Sequence, residues 1–122
     1  MARQVRAEIH QADRELRRFI NYQLNECRRL GYPIMATFAR EIARGTVSLP
    51  PPTEEDPVME CIGRFYYGLL EIERRILSER YLQTGTEKER ARRLSMSVGS
   101  MRRKIDRLLE RCVGYLQCGG FL

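Results

Sequence analysis

The chain has 122 residues, 43% hydrophobic and 31% charged, with a formal net charge of +6. That length suits one compact domain, or a small domain carrying a helical extension; the composition is too apolar for a disordered chain, and no apolar run nears the roughly 20 residues of a membrane span. The opening, MARQVRAEIHQADREL, is charged throughout and lacks the apolar stretch of a secretory signal, so a cytoplasmic protein is expected.

The first predicted element is a long amphipathic helix over about residues 3–30. Val5, Ile9, Ala12, Leu16, Phe19, Ile20, Leu24, Cys27 and Leu30 recur at steps of three and four and share one stripe. A strict heptad would bring Gln23 and Glu26 into the seam, so the drifting stripe favours packing against other helices over a two-stranded coiled coil. So many apolar positions do not suit a solitary exposed helix. The stripe is expected to pack on the C-terminal helices, on a second copy in a homodimer, or on a partner. Gly31 is placed to stop this helix, and Pro33 to open a shorter one through Ile34, Phe38, Ala39 and Ile42 that Gly45 ends.

Residues 48–57, SLPPPTEEDP, divide the chain. Three consecutive prolines cannot continue a helix and favour an extended conformation, so the segment is predicted to be a semi-rigid linker. The organisation is then an N-terminal helical region (1–47), the linker (48–57) and a C-terminal domain (58–122). Glu54, Glu55 and Asp56 sit just ahead of a helix, where acids suit the N-terminal dipole; they read as helix-start residues rather than catalysts.

Beyond the linker, Val58, Cys61, Ile62, Phe65, Tyr66 and Leu69 form one helical face, interrupted near Gly68. Tyr66 and Tyr67 are expected as core plus rim rather than as a platform for stacking bases. A helix over about 71–82 is expected to turn Ile72, Ile76 and Tyr81 inward. No segment alternates with period two for long enough to be a strand, so the predicted class is all-α.

Residues 85–112, GTEKERARRLSMSVGSMRRKIDRLLERC, are the most informative stretch. Thr86 suits an N-cap, and Glu89 three residues later fits a capping box. The short helix that follows turns Ala91 and Leu94 inward. Ser95-Met96-Ser97 forms a three-residue turn in which Met96 can plug the core. Ser97 caps a second helix with Met101, Ile105, Leu108 and Cys112 on its buried stripe. Two helices joined by so short a turn, with the small Ala91 where they cross, predict a helix-turn-helix.

Such a motif reads bases with the N-terminal residues of its second helix. Gly99, Ser100, Arg102 and Arg103 are placed to face base edges, Gly99 by allowing close backbone approach and arginine by pairing bidentately with guanine. Lys88, Arg92, Arg93, Ser97, Lys104 and Arg107 are placed to meet phosphates. Charge agrees: residues 46–85 carry four Arg and seven acids, whereas 86–122 carry nine Lys or Arg and four acids. The expected partner is double-stranded DNA, with no membrane.

Residues 69–112 resemble the helix-turn-helix of sigma factor region 4, and more closely its version in small phage late-gene regulators, including the antitermination protein Q families. The shared features are Leu70, Arg75-Ile76-Leu77, Arg80-Tyr81, the Ala91…Leu94 pair, Ser97, and Gly99-Ser100-Met101-Arg102-Arg103. Two positions depart from the pattern: Arg90 stands where an aliphatic residue is usual, and Ser95 where glycine is usual at the start of the turn. The resemblance implies a transcription regulator in a bacterial host, associated with the nucleoid, that acts on RNA polymerase paused near a late promoter and makes it resistant to termination. Other readings are an operator-binding activator or repressor, a sigma-like module that contacts polymerase without reading DNA, and a DNA-packaging recognition subunit.

Catalytic chemistry is not expected. Cys27, Cys61, Cys112 and Cys118 form no CxxC pair, and His10 has no ligand partners at metal spacing. Cys27, Cys61 and Cys112 fall on apolar faces as small hydrophobes. There is no phosphate-cradling glycine loop and no His-based triad, so neither enzyme activity nor a cofactor or metal is implied.

Overall fold

A computed structural model describes residues 2–29, 56–82 and 84–122. The regular elements among them are α-helices: α1 (Ala2–Arg29), α2 (Pro57–Tyr67), α3 (Glu71–Tyr81), α4 (Glu87–Arg93) and α5 (Val98–Cys118). The all-α class read from the periodicities holds for these residues. The helix predicted over 33–45, its neighbouring stop at Gly31 and linker residues 48–55 lie outside the described residues, as does the Cys27 side chain. Among the described residues no helix is long and apolar enough to cross a membrane.

One hydrophobic cluster joins all five helices. Helix α1 supplies Ala12, Leu16, Phe19, Ile20 and Leu24; α2 supplies Met59, Ile62, Phe65 and Tyr66; α3 supplies Ile76 and Leu77; and α4 supplies Ala91. Helix α5 packs against each of the other four, with Met101, Ile105, Leu108, Leu109, Cys112, Val113 and Leu116 buried along it. The apolar stripe of α1 is thus used within the protomer from Ile9 to Leu24. Val5 is the exception, an exposed residue one turn before the stripe reaches the core.

Local signals start the helices where the sequence places them. Asp56 caps α2, accepting from the Met59 backbone N–H at 3.0 Å, and Pro57 occupies the first turn, where its missing N–H is harmless. Arg18 of α1 pairs with that cap at 2.5 Å, fixing α1 to the start of α2. The two helices approach closely at Gly63, where a Cβ would lie 3.2 Å from the Phe19 ring. Phe19 packs tilted against Tyr66 with ring centroids 5.6 Å apart. Tyr66 is core and Tyr67 rim, as expected. Gln23, in contrast, is buried, and its amide donates to the Tyr67 hydroxyl.

Helix α3 is rotated from its predicted orientation. Ile72 is 39% exposed, and the buried face is centred on Ile76 and Leu77. The cause is charge pairing. Glu73 accepts from the Leu70 backbone N–H at 2.9 Å and also pairs with Arg111 of α5. Arg80 reaches Asp13 of α1 at 3.0 Å, and the Tyr81 hydroxyl donates to the same carboxylate at 2.5 Å. Partners on α1 and α5 therefore hold Glu73 and Arg80 at the core rim, and Ile72 turns outward.

Candidate nucleic-acid interface

The surface built by α4 and α5 begins at Gly85, whose φ of +114° is a glycine conformation; a Cβ there would lie 2.7 Å from Glu89 Oε2. Thr86 then caps α4: its hydroxyl oxygen accepts from the Glu89 N–H at 3.2 Å and its proton points to Glu89 Oε1 at 3.3 Å. Ala91, only 2% exposed, faces the core from α4. A larger side chain at this position would push the two helices apart.

The connection between α4 and α5 is a Schellman turn. The Met96 N–H donates to the Ala91 carbonyl at 3.0 Å, and the Ser95 N–H donates to the Arg92 carbonyl at 3.0 Å. Such a turn needs a left-handed residue, and Ser95 takes it with φ +56°, the non-glycine residue with positive φ among those described. This is where the sequence departs from glycine. Met96 packs at the edge of the core, as its position in the turn predicts. Ser97 caps α5, accepting from the Ser100 N–H at 3.0 Å.

An L-residue in the left-handed region is strained by about 1–2 kcal/mol, only partly offset by the chain entropy that glycine loses on folding. Ser95→Gly should therefore stabilise the protein by about 0.5–1 kcal/mol in a denaturant melt. A lower midpoint would mean that the serine side chain supports the turn in a way its backbone angle does not reveal.

The residues singled out for DNA contact separate into two groups. Gly99, Arg103, Lys104 and Arg107 are exposed along the outer side of α5, and Lys88 and Arg92 are exposed on α4. Lys88 and Arg92 border a shallow depression floored by Ala91, Met96 and Val98 and edged by Ser95 and Ser97. Ser100 is half-buried. Arg103 leans back toward the start of α5, so that a Cβ at Gly99 would stand 3.7 Å from its Nη1.

The second group is already engaged within the protein. Arg102 reaches across to Glu87 in the first turn of α4, its Nε 2.8 Å from Oε2. Arg93 is bound to α3 by Glu79 at 2.9 Å and to the following loop by the Thr84 carbonyl at 2.9 Å. Arg93 thus anchors α4, and Arg102 bridges α4 and α5. Arg90, the departure from an aliphatic residue, is half-buried and lines a second depression with Arg80, Glu87, Met101, Arg102 and Ile105.

Neither Glu87 nor Arg80 was expected at this surface, Arg80 entering the sequence reading only as part of the family resemblance, yet both line it. A usable signal for Glu87 was the acid at the first position of a helix otherwise rich in arginine. For Arg80 no local signal existed, because its partner Asp13 lies in another helix.

The remaining reactive groups among the described residues do not gather into a centre. Among the described residues no group of three or more His, Cys, Asp or Glu could hold a metal ion. His10 is exposed. Burial pushes the Cys112 thiol up to about 12, so it remains protonated and packs as a hydrophobe. No family model, no curated protein and no solved structure matches the chain.

Proposed function

We propose that the chain is a sequence-specific DNA-binding transcription regulator that uses α4, its turn and α5 as a helix-turn-helix of the sigma region 4 type. The observation that carries this reading is the combination of a short capped helix with Ala91 buried on it, a Schellman turn and a longer capped helix that packs against it. The outer first turns of that longer helix display Arg103, Lys104 and Arg107 without ion-pair partners among the described residues. Arg103 is the residue assigned to base edges, Gly99 and Ser100 allow close approach, and Lys88, Arg92, Lys104 and Arg107 serve phosphates. The step from DNA binding to antitermination on host RNA polymerase rests on the resemblance of residues 69–112 to phage Q-type regulators.

Binding should be largely electrostatic, with log affinity falling against log salt at a slope of about −3 to −6, that is about −0.9 per phosphate neutralised. Arg103→Ala should cost about 1–3 kcal/mol of binding and relax preference at one base position, whereas Arg92→Ala should weaken all sequences alike. Selection of bound duplexes with sequencing, repeated on both variants, separates the two roles. Uniform loss in both would remove Arg103 from the base-reading set. In vitro transcription across a terminator downstream of the selected site then tests the polymerase step.

A second reading has one observation in its favour. Arg102 and Arg93, two of the expected DNA contacts, are held by Glu87 and Glu79, which suits a protein-facing surface where charge is balanced internally. A sigma-like polymerase-binding module without base reading would yield no enriched sequence in the same selection.

A further inference from the structure

We propose that a second basic row, on α1, contacts the phosphate backbone of the same duplex, flanking the segment that α5 occupies; this deepens the DNA-binding reading and rests on it. Arg6, His10, Arg14 and Arg17 follow one another at steps of four, four and three, so they share one side of the helix, and all four are exposed. The row is about 16 Å long at 1.5 Å per residue, about five nucleotides of a strand at 3.4 Å each.

The charges around this row are arranged to leave it positive. The acids Glu8 and Glu15 lie on the opposite flank of α1, where Glu8 accepts from Gln117 and Glu15 pairs with Arg18. Asp13, the acid that borders the row, is taken up by Arg80 and the Tyr81 hydroxyl, with Arg17 4.0 Å away. Arg6 and Arg14 have no ion-pair partner among the described residues.

The row is also continuous with the α4–α5 surface. Arg17 and Arg80 both stack on the Tyr81 ring, at 5.6 and 5.5 Å from its centroid. Arg80 in turn lines the depression with Arg90 and Arg102, which also holds Glu87 and Asp106. A guanidinium path therefore leads from α1 to the first turns of α5. An anionic bilayer fits less well, because an interfacial helix inserts its apolar face, and the apolar face of α1 is occupied by the core. A polyanion with regularly spaced charges needs only the exposed row.

The test compares the full chain with an Arg6→Gln/Arg14→Gln double variant on two duplexes, one carrying the selected site with its flanks and one trimmed of them. On the flanked duplex the salt slope should become shallower by about 1.8 and low-salt affinity should fall about tenfold, as expected for two lost phosphate contacts. The trimmed duplex should show little change, and an Arg6→Lys/Arg14→Lys variant should keep the wild-type slope. An unchanged slope in the Gln variant, while the wild-type chain binds, overturns the inference and leaves the α5 reading standing. An equal loss in the Lys variant also overturns it, since charge would not be the cause. If the wild-type chain binds neither duplex, the DNA reading falls and takes this inference with it. If the Gln variant instead loses binding only to phosphatidylserine vesicles, the row faces a membrane surface and the inference is overturned.

Discussion

Replacing Phe19 with alanine should lower the unfolding free energy by about 3–5 kcal/mol, the usual cost of removing a wholly buried aromatic ring. Phe19 is 1% exposed and fills the space between Gly63 and the Tyr66 ring, and the closely packed helices around it have little room to collapse. Against a total stability of about 5–15 kcal/mol for a domain, that loss brings the protein near its folding threshold. The denaturation midpoint should fall with an unchanged slope, and the melting temperature should drop by roughly 10–20 °C. A fragment that begins at Asp56 should fail to fold at all, because it would leave Phe65, Tyr66 and Leu116 without the α1 side of their cluster. A cooperative melt from that fragment would show that α1 is an accessory to the core and not part of it.

The second large effect concerns Asp13. Its carboxylate receives both the Arg80 guanidinium and the Tyr81 hydroxyl, and it sits about four-fifths buried between α1 and α3. Asp13→Ala should destabilise by about 2–3 kcal/mol at neutral pH, since a half-buried arginine and a largely buried phenol lose their acceptor together. Burial by itself would raise the pKa of Asp13, but the hydrogen bonds from Tyr81 and Arg80 outweigh it and hold the pKa below its ordinary 3.8. A depressed carboxylate pKa stabilises the fold above the unfolded-state value and ceases to do so as pH falls through the folded-state value. The gap between wild type and variant should therefore be full above about pH 5 and close progressively below pH 3.8. Equal melting temperatures at pH 7 would remove this network from the forces that dock α1.

Much of this architecture can be read from residue spacing alone, because helical stripes and caps are local. Thr86, Ser97 and Asp56 cap the helices they precede, and Leu16, Phe19, Ile20, Met101, Ile105, Leu108 and Cys112 are buried as their periodicity requires. What spacing does not reveal is pairing between charges that folding brings together. Glu87 and Arg102 stand 15 positions apart, and Glu79 and Arg93 14, so the engagement of two expected DNA contacts is a tertiary fact. The same cause turned Ile72 outward, since Glu73 and Arg80 found partners on other helices and stayed at the rim. Gln23 is a milder case: buried beside the apolar stripe, it donates its amide N–H to the Tyr67 hydroxyl on another helix, while its buried Oε1 has no hydrogen-bond partner among the described residues.

That one core serves the five described helices shapes how the protein will behave in genetics. A screen for inactive alleles will return lesions scattered from Ala12 to Leu116, most of them acting by lowering the amount of folded protein. Their positions will say little about which surface carries the activity. The informative alleles will be the rare ones that leave cellular abundance at the wild-type level, and these should fall at exposed arginines and lysines, where a side chain can be lost without the fold noticing.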